Sequence, residues 1–306
     1  MEEKILILDF GSQYTQLIAR RVRELNIYCE IFPYNKAPKN IENFKGLILS
    51  GSPFSVHDVE APSVNLEEFK NIPILGICYG AQMVAKISGC DVLKSEIREY
   101  GRAKLNYVNN SSLILDGVKS NSDVWMSHGD SIKNNKDVLE VIASTDDVEV
   151  ASYYIKKLNF YGLQFHPEVT HSAEGKKILE NFTVKICGCN KKWTPDKFVE
   201  QTVRELKEKL GKERVILGLS GGVDSSVAAF LIHRAIGKNL FCVFVDNGLL
   251  RKNEFQEVLD SYRNFGLNVV GTNSKEIFYS DLKAVSYTHL RAHETGRNLV
   301  CRLLLE

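Results

Sequence analysis

Pro73-Ile74-Leu75-Gly76-Ile77-Cys78-Tyr79-Gly80-Ala81-Gln82 is the stretch on which the reading of the chain turns. A short apolar run ends in a cysteine held between two glycines, and a helix-type segment over 83–88 follows. The pattern predicts strand, sharp turn and helix, the geometry that lifts a nucleophile above a sheet edge. Gly76 and Gly80 suit so crowded a turn because neither carries a Cβ. Cys78 then sits near a helix N-terminus, whose partial positive charge favours thiolate over thiol. A lone cysteine is more often a small buried apolar group. The preceding strand and the flanking glycines reverse that expectation, and a suitable base elsewhere would complete it.

Working outward, residues 4–9 (KILILD) form a continuous apolar run, the pattern of a parallel strand buried on both faces. Residues 14–25 carry helical apolar spacing at Leu17, Ile18, Val22 and Leu25. Further strands are expected over 27–32 and 46–50, with the fourth delivering Cys78. Strand and helix alternating in this way imply right-handed crossovers and a doubly wound, mainly parallel α/β sheet. Ser50-Gly51-Ser52-Pro53 follows the third strand, where a loop can aim backbone N–H groups into the crevice beside Cys78. Residues 104–164 read as shorter, more antiparallel segments. Among them Val124-Trp125-Met126-Ser127-His128-Gly129-Asp130 has a polar end that reads as a strand leaving for a loop.

Residues 160–165 (FYGLQF) predict another strand, and His166-Pro167-Glu168 stands at its end. Proline fixes its own φ and keeps His166 out of helical geometry, so both side chains are presented rigidly. A histidine near a thiolate can act as base, and a carboxylate on its other nitrogen fixes tautomer and orientation. Cys78, His166 and Glu168 are therefore the expected triad.

On these residues, 1–188 resembles the class I (triad) glutamine amidotransferases. The resemblance implies that Cys78 attacks the side-chain amide of glutamine, that His166 protonates the departing ammonia, and that water releases glutamate from the thioester. It implies an oxyanion hole from the backbone N–H groups of Gly51 and Tyr79, although Ser52 stands where the family pattern has a second glycine. It also implies glutamine-binding positions at Gln82, Ser127, His128, Gly129 and Asp130.

Residues 189–212 read as a linker with an amphipathic connecting helix, whose start carries the Thr194-Pro195 cap pair. Beyond it, residues 214–219 (RVILGL) predict a buried strand, then Ser220-Gly221-Gly222-Val223-Asp224-Ser225-Ser226, then a helix over 227–236. Two glycines between strand and helix let N–H groups and the helix dipole converge on a phosphate, and the serines add hydroxyl donors. No Walker lysine motif occurs, which argues against kinase or GTPase chemistry. The run resembles the pyrophosphate loop of the N-type ATP pyrophosphatases, an adenine nucleotide alpha hydrolase-like fold. The resemblance implies ATP at Ser220–Ser226, adenine against the backbone at Val245, and Mg²⁺ with Asp224 as its carboxylate. A triad glutaminase followed by such a loop over 213–285 resembles the glutamine-hydrolysing GMP synthase family, implying XMP as acceptor and GMP as product. Two other readings stay open. One is a glutaminase subunit or fragment feeding ammonia to another ATP-pyrophosphatase-type amidotransferase, and the other is a non-catalytic regulatory module.

Length and composition agree with a two-domain globular protein. In 306 residues, 44% are hydrophobic and 25% charged, ordinary values for a packed soluble chain. A net charge of +1 gives no electrostatic footprint for nucleic acid or an anionic membrane. Seven cysteines, an odd number in a long chain, favour a reducing compartment, and no apolar run approaches a membrane span, so a cytoplasmic location is expected. Residues 286–306 resemble a peptide that recurs at the ends of unrelated sequences and are expected to be non-native. The resemblance further implies a homodimer only where a family-like C-terminus follows.

Overall fold

The computed structural model describes residues 3–283, apart from the side chains of 95–99; the expected non-native tail lies outside the described residues. The chain divides into two compact units, Met1–Thr194 and Pro195–Glu306. The division falls inside the segment expected to link the domains, and the connecting helix groups with the second unit.

In the first unit the order is β1 (Lys4–Asp9), α1 (Thr15–Glu24), β2 (Tyr28–Pro33), β3 (Phe44–Leu49), β4 (Ile74–Ile77), α2 (Tyr79–Ile87), β5 (Val92–Lys104), β6 (Tyr107–Val108), β7 (Asp123–Ile132), β8 (Glu140–Ser144), β9 (Ser152–Ile155), β10 (Phe160–Leu163) and α3 (Gly175–Glu180). Eight strands form one sheet in the order β2-β1-β3-β4-β10-β9-β8-β6. The run from β2 to β10 is parallel, and β9, β8 and β6 continue it antiparallel. The sequence order reverses between β1 and β3, so their carboxyl ends open the crevice expected of a doubly wound sheet. Both faces are buried, as the continuous apolar runs require. Ile5, Ile7, Ile48, Leu75 and Ile77 enter one core with Ile18, Ala19 and Val22 of α1. Leu6, Leu8, Leu47, Leu49 and Ile74 enter the other with Ala81, Val84 and Ala85 of α2. Alternate residues of one strand thus serve opposite cores, which is the two-residue period of a strand made visible.

Two local expectations are corrected. The helix after Cys78 begins at Tyr79 rather than at residue 83, because Gly80 lets the first turn run against β3, donating its N–H to Ser50 O at 3.2 Å. Residues 127–130 do not leave for a loop. They lie within β7, which pairs antiparallel with β5 as a separate two-stranded sheet. The alternation of Val124, Met126, His128, Asp130 and Ile132 into the buried face continues straight through the polar residues. Their polarity marks a buried polar surface, not the end of the strand.

The second unit, within the described residues, contains α4 (Pro195–Leu210), β11 (Val215–Leu219), α5 (Val223–Ile236), β12 (Leu240–Asp246), α6 (Glu254–Asn264), β13 (Val269–Asn273) and α7 (Lys275–Leu282). Its strands pair in parallel in the order β11-β12-β13. Leu219, Cys242, Phe244 and Val269 form its core with Ala229 of α5 and Leu259 and Tyr262 of α6. Here too the helix starts earlier than its periodicity indicated, at Val223 rather than 227, so Val223–Ser226 form its first turn instead of loop. Among the described residues no helix is long and apolar enough to cross a membrane.

Candidate active site

Cys78 follows β4 with φ 51° and ψ −106°, a conformation that L-residues rarely adopt. Holding a non-glycine residue there costs about 1–3 kcal/mol and persists only where the surroundings enforce it. They do so from both sides. A Cβ on Gly80 would stand 2.7 Å from Leu49 O, and one on Gly76 would stand 2.6 Å from Phe160 Cζ and 2.8 Å from Ala81 N. The Cys78 N–H donates to Leu163 O at 2.7 Å, tying the elbow to β10. Its thiol reaches Ser127 O at 3.5 Å.

His166 comes three residues after β10, its N–H donating to Trp125 O at 3.0 Å and its carbonyl accepting from Ser172 Oγ at 2.6 Å. The His166 backbone is thus held from β7 and from the loop that carries Ser172. Nδ1 lies 2.7 Å from Glu168 Oε1, and Cys78 lines the same cavity as His166. With Nδ1–H given to the carboxylate, Nε2 is the nitrogen left for sulfur. Burial alone would push the His166 pKa down. The Glu168 carboxylate and Cys78 outweigh it and raise the value well above the ordinary 6.5. Glu168 is fully buried and its other oxygen, Oε2, has no hydrogen-bond partner among the described residues, so its one strong contact is with His166. Arg21 of α1 donates to the Glu168 carbonyl at 2.9 Å, and the Tyr14 ring meets His166 edge-on at 5.2 Å.

In front of Cys78 a cavity of about 780 Å³ opens, walled by the loops after β1 and β3 and by β7. The expected glutamine-binding residues Gln82, Ser127, His128, Gly129 and Asp130 all line it, as do Gly51 and Tyr79. His128 Nδ1 lies 3.0 Å from Asp130 O, and burial pushes its pKa down to about 4, partly opposed by that carbonyl. Asp130 Oδ2 accepts from Ser55 Oγ at 2.6 Å. Ser52, the departure from the family's glycine, donates to Phe10 O at 2.8 Å and joins the β1 and β3 loops, without a positive φ. Sequence reasoning missed Ser55, Tyr14 and Gln164. Only Gln164 had a signal, its place two residues before His166.

In the second unit, Gly221 takes φ +77°, while Gly222 is extended and caps α5. Ser220 Oγ accepts from Gly222 N at 3.2 Å and lies 3.0 Å from Ser225 Oγ, which in turn accepts from Ser220 N at 3.2 Å. Ser226 Oγ donates to Gly222 O at 2.7 Å and meets Tyr262 Oη at 2.5 Å. These hydroxyls brace the loop into one shape. Asp224 and Val223 are exposed on the first turn, and Val245 is exposed on β12. Among the described residues, no three His, Cys, Asp or Glu side chains cluster to hold a metal.

A strained elbow cysteine backed by a buried His–Glu pair at the edge of an α/β sheet has the parts of a cysteine-dependent amide hydrolase. The sequence of residues 6–186 matches the family described as glutamine amidotransferase class-I, and the chain belongs to that family. Residues 196–303 match the family described as NAD synthase. A solved structure from Thermoplasma acidophilum, described as that of a putative GMP synthase subunit, is 33% identical and superposes with a TM-score of 0.55, covering 61% of this chain and 95% of that one. Proteins named GMP synthase [glutamine-hydrolyzing] from Cytophaga hutchinsonii and Christiangramia forsetii are 57% and 56% identical over 301 residues. Those matches take in 98% of this chain and 59% of each relative, so the chain spans well under two thirds of their length.

Proposed function

We propose that the first unit is a glutaminase and the second part of an ATP pyrophosphatase, which together perform glutamine-dependent amination of XMP to GMP. The observation that carries the first half is the His166–Glu168 contact of 2.7 Å beside Cys78 in its strained elbow. His166 Nε2 takes the thiol proton, and the sulfur adds to the glutamine side-chain carbonyl. Backbone N–H groups of Gly51 and Tyr79 hold the oxyanion. His166 returns the proton to the nitrogen, ammonia leaves, and a γ-glutamyl thioester remains. Water, deprotonated by His166, then adds to the thioester and releases glutamate and the thiol. Gln82 and Ser127–Asp130 shape the pocket for the amino-acid end of glutamine.

For the second unit, the positive φ at Gly221 and the N-terminus of α5 support phosphate binding at Ser220–Ser226, with the adenine beside Val245. The match of residues 196–303 and the names of the relatives support ATP as the nucleotide and a xanthine nucleotide as acceptor. One exposed carboxylate among hydroxyls suits Mg²⁺ carried on ATP phosphates better than a protein cage. Asp224 would hold that ion, and its charge would offset the phosphates. A cytoplasmic location fits these substrates. The test is Cys78→Ala: glutamate release from glutamine is abolished, whereas synthesis from added ammonia, assayed in a chain of the relatives' full length, persists. Glutamate release by the alanine variant would overturn the triad.

A further inference from the structure

The roles given to Cys78, His166 and Glu168 leave Gln164 without one, yet it is fully buried with its amide toward Cys78. Its carboxamide nitrogen lies 4.0 Å from Cys78 Sγ, at the outer edge of hydrogen-bonding range for sulfur. Its oxygen, Oε1, accepts from Gln82 Nε2 at 3.2 Å. That same Gln82 nitrogen donates to Asp130 O at 2.7 Å. The two ends of an amide have nearly the same shape, so their partners decide which way each end faces. Asp130 O can only accept, which makes Gln82 present its NH₂. Gln82 then offers its second hydrogen to Gln164, which must answer with oxygen. The NH₂ of Gln164 is left facing the sulfur. Three residues, 130, 82 and 164, therefore fix the direction of one donor.

We propose that Gln164 is a catalytic residue whose carboxamide donates to the Cys78 thiolate, and that Gln82 is the positioning residue that sets this amide's direction. The proposal rests on the glutaminase reading of the triad. A hydrogen bond to the charged form favours it, so the donor eases transfer of the thiol proton to His166. Gln164 is fully buried and lies behind Cys78, away from the cavity in front of it, so little water competes for its amide. Gln82 changes role as a result. Both hydrogens of its nitrogen are committed, and only its oxygen remains for a bound glutamine.

The test uses the 306-residue chain and iodoacetamide, a small neutral electrophile that needs no glutamine pocket. Alkylation of Cys78 is followed by mass spectrometry of its peptide as a function of pH, with Cys78→Ala as control. Gln164→Met keeps nearly the same volume and removes the donor. The expected result is an alkylation rate about tenfold lower at neutral pH, with the profile moved alkaline by about one pH unit, as for loss of one hydrogen bond to a charged group. Gln82→Met moves the profile the same way by less, a shift that a merely structural role would not produce. Overlapping profiles for the parent and Gln164→Met overturn the proposal. If Gln164→Met does not fold, Gln164→Glu keeps the shape and the acceptor for Gln82 but turns a carboxylate oxygen to the sulfur. Its rate should fall further, and an unchanged rate there overturns the proposal equally. A parent whose Cys78 alkylates normally but releases no glutamate from glutamine refutes the glutaminase reading instead, so the two failures are distinct.

Discussion

Replacing Glu168 by Gln removes one charge while keeping the shape of the side chain, and the structure sets the size of the effect. The His166–Glu168 contact is 2.7 Å, with the two side chains 5% and 1% exposed. Little water competes there, so the hydrogen bond falls in the charged-partner range of about 1.5–3 kcal/mol. If that stabilisation is needed in the transition state, kcat/KM for glutamine hydrolysis falls roughly 10- to 150-fold, at about 1.4 kcal/mol per decade. His166→Ala removes the proton carrier itself and should cost more, about 10²–10⁴-fold. The pH dependence has a definite sign. Burial pulls the His166 pKa down, while Glu168 and Cys78 lift it well above 6.5. Without the carboxylate, burial gains ground and the value falls, so the limb of the rate profile that reports His166 moves to lower pH. A raised histidine pKa contributes stability that is fully present below the unfolded value and lost as pH rises through the folded one. The stability gap between parent and Glu168→Gln is therefore largest in acid and narrows as the solution becomes alkaline. Glutamate release across pH and urea unfolding at two pH values measure both effects. A Glu168→Gln enzyme slower than His166→Ala, or an unmoved His166 limb, refutes the reasoning.

His128, with its pKa near 4, should make the first unit acid-labile. The unfolded chain takes up a proton near 6.5 that the folded chain refuses, so up to about 3 kcal/mol is lost as pH falls from 6.5 towards 4. Urea midpoints should fall less steeply with pH in His128→Asn, and equal slopes would count against the buried neutral ring. Gly80→Ala must push Leu49 O away from 2.7 Å, which overpacks the elbow by about 1–3 kcal/mol; a lower Tm and slower glutamine hydrolysis should appear together, and an unchanged Tm contradicts the close approach. Gly222→Val puts branched carbon beside Ser220 Oγ, where the added Cβ would already stand 3.3 Å away, and in front of the N–H groups of the loop. ATP binding measured by calorimetry should be lost while a glutamine-analogue electrophile still labels Cys78, and retained binding would remove Ser220–Ser226 from the nucleotide site.

Local pattern carried the parts of this protein whose cause is local. The strands β1, β3 and β4 were legible because the middle of a strand buried on both faces must be apolar, as residues 5–8 are. The elbow was legible because Gly76 and Gly80 bracket Cys78 in the sequence itself. The His166–Glu168 pair was legible because Pro167 joins its two members. Polarity misled at β7, where His128 and Asp130 look like an exit from a strand. Their partners come from elsewhere in the chain: Gln82 donates to the Asp130 carbonyl, and Ser55 reaches the Asp130 carboxylate from 75 residues away. The helix starts at Tyr79 and Val223 were missed for a related reason. Apolar periodicity reports the buried face of a helix, whereas its first turn is set by what the backbone passes: β3 beside Gly80, and Ser220, which accepts from Gly222 N, before Val223.

The sequence by itself determined the α/β alternation, the cysteine elbow, the His166–Glu168 pair, and the glycine-serine loop of the second unit, since each depends on neighbours within a few residues. Only the tertiary structure decided the strain at Cys78, enforced by Leu49 and Phe160 on two other strands. Folding also decided that Ser52 braces the β1 and β3 loops, and that the amides of Gln82 and Gln164 line up behind the sulfur. Those last two glutamines lie 82 residues apart, and Gln164 and Cys78 86 apart. No local propensity links positions so distant. Their hydrogen bonds exist because β4 and β10 lie side by side in one sheet, and because buried amides must be satisfied once water has been excluded.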